Sequence, residues 1–178
     1  MKENFEQCMV MLLENEGGYQ EDNRDSGNSS DGYGNPGSTN WGVTAKVFAE
    51  FTGQPATREI MKALKKEEVY PVYKQLYWDK IKGDDLPAGV DWTTFDYCVN
   101  SGVSRAAKAL QGIVSATRDG AIGKLTLAAV EKKDAKEIID QMHSTRQNFL
   151  EGLSTFGVYG RGWTRRNEHV KDTALDML

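Results

Sequence analysis

The sequence predicts a mainly α fold, a helical bundle with a small irregular loop or β-hairpin lobe near the N-terminus. Two observations carry that expectation. Apolar residues recur at helical spacing in Phe5, Cys8, Met9, Leu12 and Leu13, and again in Ile138, Ile139, Met142, Phe149, Leu150 and Leu153. Residues 20–40, by contrast, are rich in Gly, Ser, Asn and Asp and contain Pro36, so neither a helix nor a buried strand suits them. A chain of 178 residues is long enough for one domain, or for two lobes sharing a core, and too short for two comfortable independent domains. A single domain over residues 1–178 is therefore expected.

In chain order, the first stripe makes a helix that Gly17 and Gly18 stop. The polar segment 20–40 follows as a loop or irregular hairpin, and stretches of this length in compact domains are often binding or catalytic loops. Further helices are expected over 44–51, 57–64, 67–78 with a kink at Pro71, and 90–99. Ser104 reads as the cap of a helix running to 114, 124–130 as a short helix, the second stripe as another, and 163–175 as the last.

Composition narrows the function. Apolar content of 39% and charged content of 27% are near globular averages, so the chain should fold. A net charge of -4 argues against nucleic acid, whose recognition needs a basic surface. No stretch approaches membrane-spanning length, and the start of the chain carries Glu3 and Glu6 where a secretory signal needs a basic patch and an apolar run, so synthesis in the cytoplasm without a signal peptide is expected. Cys8 and Cys98 lie among apolar residues and read as core thiols; with only His143 and His169 besides, no metal-ligand spacing is present. Phosphate-loop and Gly-x-Ser-x-Gly patterns are missing. An enzyme that works with carboxylates, without metal or cofactor, is the best-supplied option.

Glu16 is the informative acid. Continuing the stripe 5, 8, 9, 12, 13 by helical steps lands on residue 16, which points its side chain toward the apolar side. In the last helical turn, both burial and the negative end of the helix dipole disfavour the charged form. A carboxyl that keeps its proton is what glycoside cleavage needs, because the leaving oxygen must be protonated as the bond breaks. Glu14 falls on the opposite, solvated face. A second carboxylate must activate water or stabilise the oxocarbenium-like transition state, and Glu21, Asp22, Asp25 and Asp31 are at hand. Asp25 is preferred, since nine residues after Glu16 leave room for the chain to turn at the glycines and return. Tyr19, Tyr33 and Trp41 flank these acids and can stack on sugars; the competing reading of each loop acid is a turn cap. Asn100 either belongs to a helix C-cap at Gly102 or is delivered to a cleft floor, where its amide could bond an N-acetyl group. Arg161, Arg165 and Arg166 around Trp163 form a basic, aromatic cluster that either meets wall carboxylates or is a solvated helix end.

Glu16-Gly17-Gly18-Tyr19, Asp22, Asp25 and Thr39-Asn40-Trp41-Gly42-Val43-Thr44 closely resemble the opening signature of glycoside hydrolase family 108 muramidases. Residues 73–78, Asp84-Asp85-Leu86-Pro87, residues 95–102, 106–111 and 119–123 resemble the family's second half, usually described as a peptidoglycan-binding region, so the resemblance covers nearly the whole chain. It implies a lysozyme-like fold, with a catalytic part over 1–93 and a peptidoglycan-binding helical part over 94–178. It also implies hydrolysis of the β-1,4 bond between N-acetylmuramic acid and N-acetylglucosamine in bacterial peptidoglycan. Glu16 falls on the family's catalytic glutamate, and Asp25 with Thr39 or Asn40 fits the acid and water-positioning residue of related phage lysozymes. Tyr19, Asp22, Thr39, Asn40, Trp41 and Asn100 are the expected substrate contacts. Residues 26–36 are longer than the family's usual Asp-Pro-Gly-Gly turn, which leaves Asp22 and Asp31 as alternatives to Asp25. A monomeric, bacteriolytic phage endolysin, acting in the periplasm after release through a holin-type pore, is the expected role. A wall-binding protein without activity and a lytic transglycosylase are the rivals.

Overall fold

A computed structural model of the chain describes residues 4–22 and 24–178; the acidic start of the chain before Asn4 lies outside the described residues. The fold is mainly helical with one small hairpin. It divides into two compact units, Glu6–Gln75 and Leu76–Leu178, the latter joined by the chain's first residues as far as Phe5.

The N-terminal unit holds most of α1 (Asn4–Glu14), whose Cys8, Met9 and Leu12 are fully buried, as the stripe requires. The helix stops at Glu14, and the amides of Asn15 and Glu16 continue in a tighter winding onto the carbonyls of Leu12 and Leu13, at 3.1 and 3.3 Å. Glu16 thus sits just past the helix rather than in its last turn. Gln20 and Thr39 exchange both backbone hydrogen bonds at 2.8 Å and so close the neck of the polar loop. Inside that loop the only regular winding among the described residues is a 3-10 turn, Ser26–Asn28. Strands β1 (Thr39–Asn40) and β2 (Val43–Thr44) then pair antiparallel, Thr39 against Thr44 and Asn40 against Val43.

Thr44 ends the hairpin and caps α2 (Ala45–Thr52), its hydroxyl accepting the Val47 N–H; Thr57 caps α3 (Arg58–Ala63) in the same way at Ile60. The single kinked helix expected over 67–78 is instead three windings: a 3-10 turn Lys66–Val69, α4 (Tyr70–Tyr73) and a π turn Lys74–Trp78. Pro71 stands in the first turn of α4, where its missing N–H would have had no helical partner, so it starts a helix rather than bending one.

In the C-terminal unit, α5 (Val90–Ser101) is the central helix, with every residue from Val90 to Cys98 buried. It is accompanied by α6 (Val103–Ile113), α7 (Lys124–Val130), α8 (Ala135–Glu151) and α9 (Phe156–Asp176). Phe5, Trp78 and Phe95 meet edge to face with ring centroids 5.3 to 6.2 Å apart. Two expected boundaries are corrected here. Helix α6 starts directly after Gly102, so Ser104 lies inside the helix and is not its cap. Helix α9 begins at Phe156, well before residue 163, and Gly160 lets the Phe156 ring lie against the helix, where a Cβ would come within 2.8 Å of three ring atoms. Neither Cys8 nor Cys98 forms a disulfide, and burial pushes the Cys98 thiol up to about 12.

Asp96, fully buried in α5, receives Arg146 Nη1 at 2.6 Å from α8 and Arg166 Nη2 at 2.7 Å from α9. Burial alone would raise its carboxyl, but the two guanidiniums more than offset that and hold it below the usual carboxylate range. A lowered folded-state pKa means that this contribution is present at neutral pH and is lost as pH falls through that folded value. Replacing Asp96 by Asn removes the counter-charge of the buried Arg146 and of the half-buried Arg166 and is expected to lower stability by about 3–5 kcal/mol. Urea denaturation at neutral pH measures this; a loss below about 1 kcal/mol would show that the pairing does not hold the bundle together.

Candidate active site

The hairpin is closed by two residues, Trp41 and Gly42, both with positive φ, at 50° and 74°. That is the signature of the type I′ turn, whose twist matches the flanking strands. Glycine adopts this conformation freely, but an aromatic residue does not. Trp41 is therefore held at three points: its N–H donates to Asn40 Oδ1 at 2.9 Å, its indole Nε1 donates to the Leu64 carbonyl at 2.9 Å, and its carbonyl accepts from Tyr73 Oη at 3.0 Å. Asn40 is buried, and its amide donates to the Met61 carbonyl at 2.8 Å. Both residues thus spend their polar atoms on fixing the turn, and the half-buried Trp41 ring is what remains for a ligand.

Glu16 comes to this turn. A Cβ placed on Gly42 would lie 2.9 Å from Glu16 Oε2 and 3.3 Å from its Cδ, and would strike the Tyr73 hydroxyl. The carboxylate, the phenol and the bare face of Gly42 therefore converge on one spot. Glu16 is half-buried there, whereas Glu14 is exposed.

The loop acids differ in what they hold. Asp31 is fully buried and accepts from Tyr33 N, Asn35 N, Asn35 Nδ2 and Ala56 N at 2.8 to 3.2 Å. The Asn35 amide leads the contacts that keep its carboxyl below the ordinary range. Asp22 takes both Nε and Nη2 of Arg24, at 2.9 and 2.6 Å, and is likewise lowered, chiefly by that pairing. Asp25 is exposed: Oδ1 accepts from Gly27 N at 2.9 Å, capping the 3-10 turn, and Oδ2 accepts from Gln20 Nε2 at 3.0 Å. Each Asp25 oxygen keeps a second lone pair.

Gln20 and Asn28, which sequence reasoning did not single out, tie Asp25 to the hairpin. Asn28 Nδ2 donates to Gln20 Oε1 at 2.7 Å, and Thr39 Oγ1 donates to Asn28 Oδ1 at 2.8 Å. The chain Asp25, Gln20, Asn28, Thr39 is thus continuous. Tyr19 donates its hydroxyl to Glu21 at 2.7 Å, and burial together with Glu21 raises its phenol. Asn100 belongs to the C-terminal unit, where its amide donates to the Asp96 carbonyl at 2.8 Å on its own helix. Gly102 below it has φ 91° and ψ 147°, a positive-φ conformation that favours glycine but lies outside the left-handed helical region of the usual cap. Of the basic cluster, Arg166 turns inward to Asp96, while Arg161 and Arg165 line a shallow depression with Glu168. Among the described residues, no three His, Cys, Asp or Glu side chains gather as metal ligands do, and no helix is long and apolar enough to cross a membrane.

A Gly42→Ala substitution meets both the positive φ and the Glu16 carboxylate, while Gly34→Ala meets a positive φ of 93° in open space. Both variants carry the cost of a Cβ at positive φ, and Gly42→Ala adds the clash with Tyr73 and Glu16, so it is expected to lose more stability than Gly34→Ala, by at least about 1 kcal/mol. Thermal denaturation of both proteins measures this; equal midpoints would contradict the geometry.

Residues 9–102 match the family described as Glycosyl hydrolase 108. Among solved structures, that of Brucella abortus SagA is similar at 39% sequence identity and a TM-score of 0.82, with 99% of this chain and 97% of that chain covered. No curated protein matches the sequence. The matched span contains Glu16, the polar loop and the whole hairpin, and the structural similarity extends to both units: the chain belongs to glycosyl hydrolase family 108 and is a glycoside hydrolase with a mainly helical, lysozyme-like fold.

Proposed function

We propose that the chain is an N-acetylmuramidase that hydrolyses the β-1,4 bond between N-acetylmuramic acid and N-acetylglucosamine in bacterial peptidoglycan, with Glu16 as general acid. The observation that carries this reading is the Glu16 carboxylate seated at the Gly42 turn. A proton donor must be held still relative to the bond it cleaves, and a turn tied down at Trp41 and Asn40 gives it a fixed wall to rest on. Membership of family 108 supports peptidoglycan as the substrate.

Asp25 is our choice for the second carboxylate. Asp31 is fully buried with its oxygens taken by four donors, and Asp22 is bound by Arg24, so each already has its partners and Asp31 is closed to water. Asp25 has no cationic partner among the described residues and is oriented by a backbone amide and by Gln20. In this reading it polarises the attacking water or stabilises the oxocarbenium-like transition state, while Thr39, at the other end of the same hydrogen-bonded chain, helps to place that water. Tyr19 and Trp41 offer ring faces to the sugars. A carboxylate separation of about 5 to 5.5 Å gives retention of configuration, and roughly 6.5 to 9.5 Å gives inversion.

Glu16→Gln is expected to fold with an unchanged denaturation midpoint and to lose between about 10² and 10⁴ of the rate on purified sacculi. Asp25→Asn keeps the cap, because Asn caps as well as Asp, and removes only the charge. It should lose activity without losing stability, whereas Asp31→Asn should lose stability first. Mass spectrometry of the digest should show muropeptides with reducing N-acetylmuramic acid ends. Unchanged lysis by Glu16→Gln would remove the acid from the mechanism, and anhydromuramic products would replace hydrolysis by transglycosylation.

A further inference from the structure

The C-terminal unit carries a concentration of positive charge that the proposed chemistry at Glu16 does not use. A cavity of about 520 Å³ opens between the end of α5, the outer face of α6 and the middle of α8, lined among others by Tyr97, Arg105, Lys108, Arg118, Thr145 and Phe149. Three of these residues are cationic and none is acidic. Arg105 and Lys108 share a helix face at a spacing of three, and Arg118 returns to it from the turn beyond α6, donating Nε to the Lys108 carbonyl at 3.2 Å. Arg105 lies over the Phe149 ring at 4.1 Å and donates Nη1 to the Ser101 carbonyl at 3.1 Å. Neutral carbonyls and a ring face thus hold the guanidiniums in place without cancelling their charge. Among the described residues no acid pairs with Arg105, Lys108 or Arg118. Asp119, which feels Lys108, is committed to the Ala121 amide and to Gln111.

A second cavity of about 330 Å³ shares Ser101, Arg105 and Phe149 with the first and adds Arg146 and Arg166. Both arginines reach Asp96, and Arg146 Nε is buried without a hydrogen-bond partner. Five cations therefore line a depression made of two adjoining cavities, in a chain whose net charge is -4. Composition alone would not produce this.

We propose that this depression is a binding site for the carboxylates of a short peptide, supplied by the peptide stems of the wall. The proposal rests on peptidoglycan as the substrate and adds a second point of recognition. Guanidinium forks match carboxylates bidentately, and Lys108 adds a compact charge beside them. A neutral glycan strand gives no reason for unpaired cations. The volume suits a ligand of a few residues, and Tyr97, Ala109 and Phe149 give its aliphatic parts an apolar floor. Local attraction here also resolves how an acidic chain approaches an anionic polymer.

Arg105, Lys108 and Arg118 are exposed, so replacing all three by Gln is expected to leave the fold intact, and circular dichroism with a denaturation midpoint checks this. The single variant Lys108→Gln serves if the triple does not fold. The probe is a synthetic stem tripeptide, L-Ala-γ-D-Glu-diaminopimelate, titrated into the full chain and followed by NMR. Saturable shifts centred on Arg105 and Phe149, at least tenfold weaker in the variant and weakened by salt, are the expected result. In the Glu16→Gln background, where turnover is blocked, the triple variant should bind intact sacculi at least tenfold less well and peptide-free glycan strands equally well. Absence of saturable shifts, equal affinity of the variant for the tripeptide, or tighter binding of inorganic phosphate than of tripeptide would overturn the proposal. None of these readouts depends on bond cleavage, so they stand even if Glu16 proves not to be the acid.

Discussion

The site depends on one close approach, that of the Glu16 carboxylate to the bare backbone of Gly42 beside the Tyr73 hydroxyl. Glu16 lies where α1 has just ended, a position with little of its own to hold a side chain still. The hairpin supplies the rigidity. Its two-residue turn forces Trp41 into a conformation that a side chain rarely adopts, and hydrogen bonds to Asn40 and Leu64 and from Tyr73 are what make that conformation tolerable. The strain and its restraints are one device, because the anchors that hold Trp41 also fix the wall against which the carboxylate rests.

The polar loop follows the same logic with different chemistry. It has almost no apolar surface to bury, so its order comes from carboxylates and amides that cap turns. Asp31 organises the distal part by accepting four hydrogen bonds, and Asn28, Gln20 and Asp25 organise the part near the hairpin. Acids of one type thereby acquire distinct characters. A carboxylate that holds the loop together is spent, and one that is only steered keeps lone pairs for chemistry. The C-terminal unit uses charge in a third way, burying Asp96 between two arginines at the heart of its helices.

Much of this was legible in the sequence. The α1 stripe placed Glu16 on the side that proves half-buried and Glu14 on the exposed one, because helical periodicity is a local property. The helices expected from residues 44 and 57 do begin there, each capped by the hydroxyl of a threonine. What could not be read was long-range or depended on exact fit. The early start of α9 goes with the fit of the Phe156 ring against the bare backbone of Gly160. The roles of Gln20, Asn28 and Tyr73 come from partners 8 to 32 residues away, and nothing in the types of these residues announces them. The inward turn of Arg166, part of a cluster read from sequence as either wall-facing or solvated, likewise required Asp96 to be located first.

The most direct measurement is a crystal structure of the Glu16→Gln chain with a bound peptidoglycan oligosaccharide. The account predicts a glycosidic oxygen within hydrogen-bonding reach of the residue 16 amide, about 2.6 to 3.2 Å, with the sugars lying along the Trp41-Gly42 turn. An oligosaccharide bound with no glycosidic oxygen near residue 16 would contradict it.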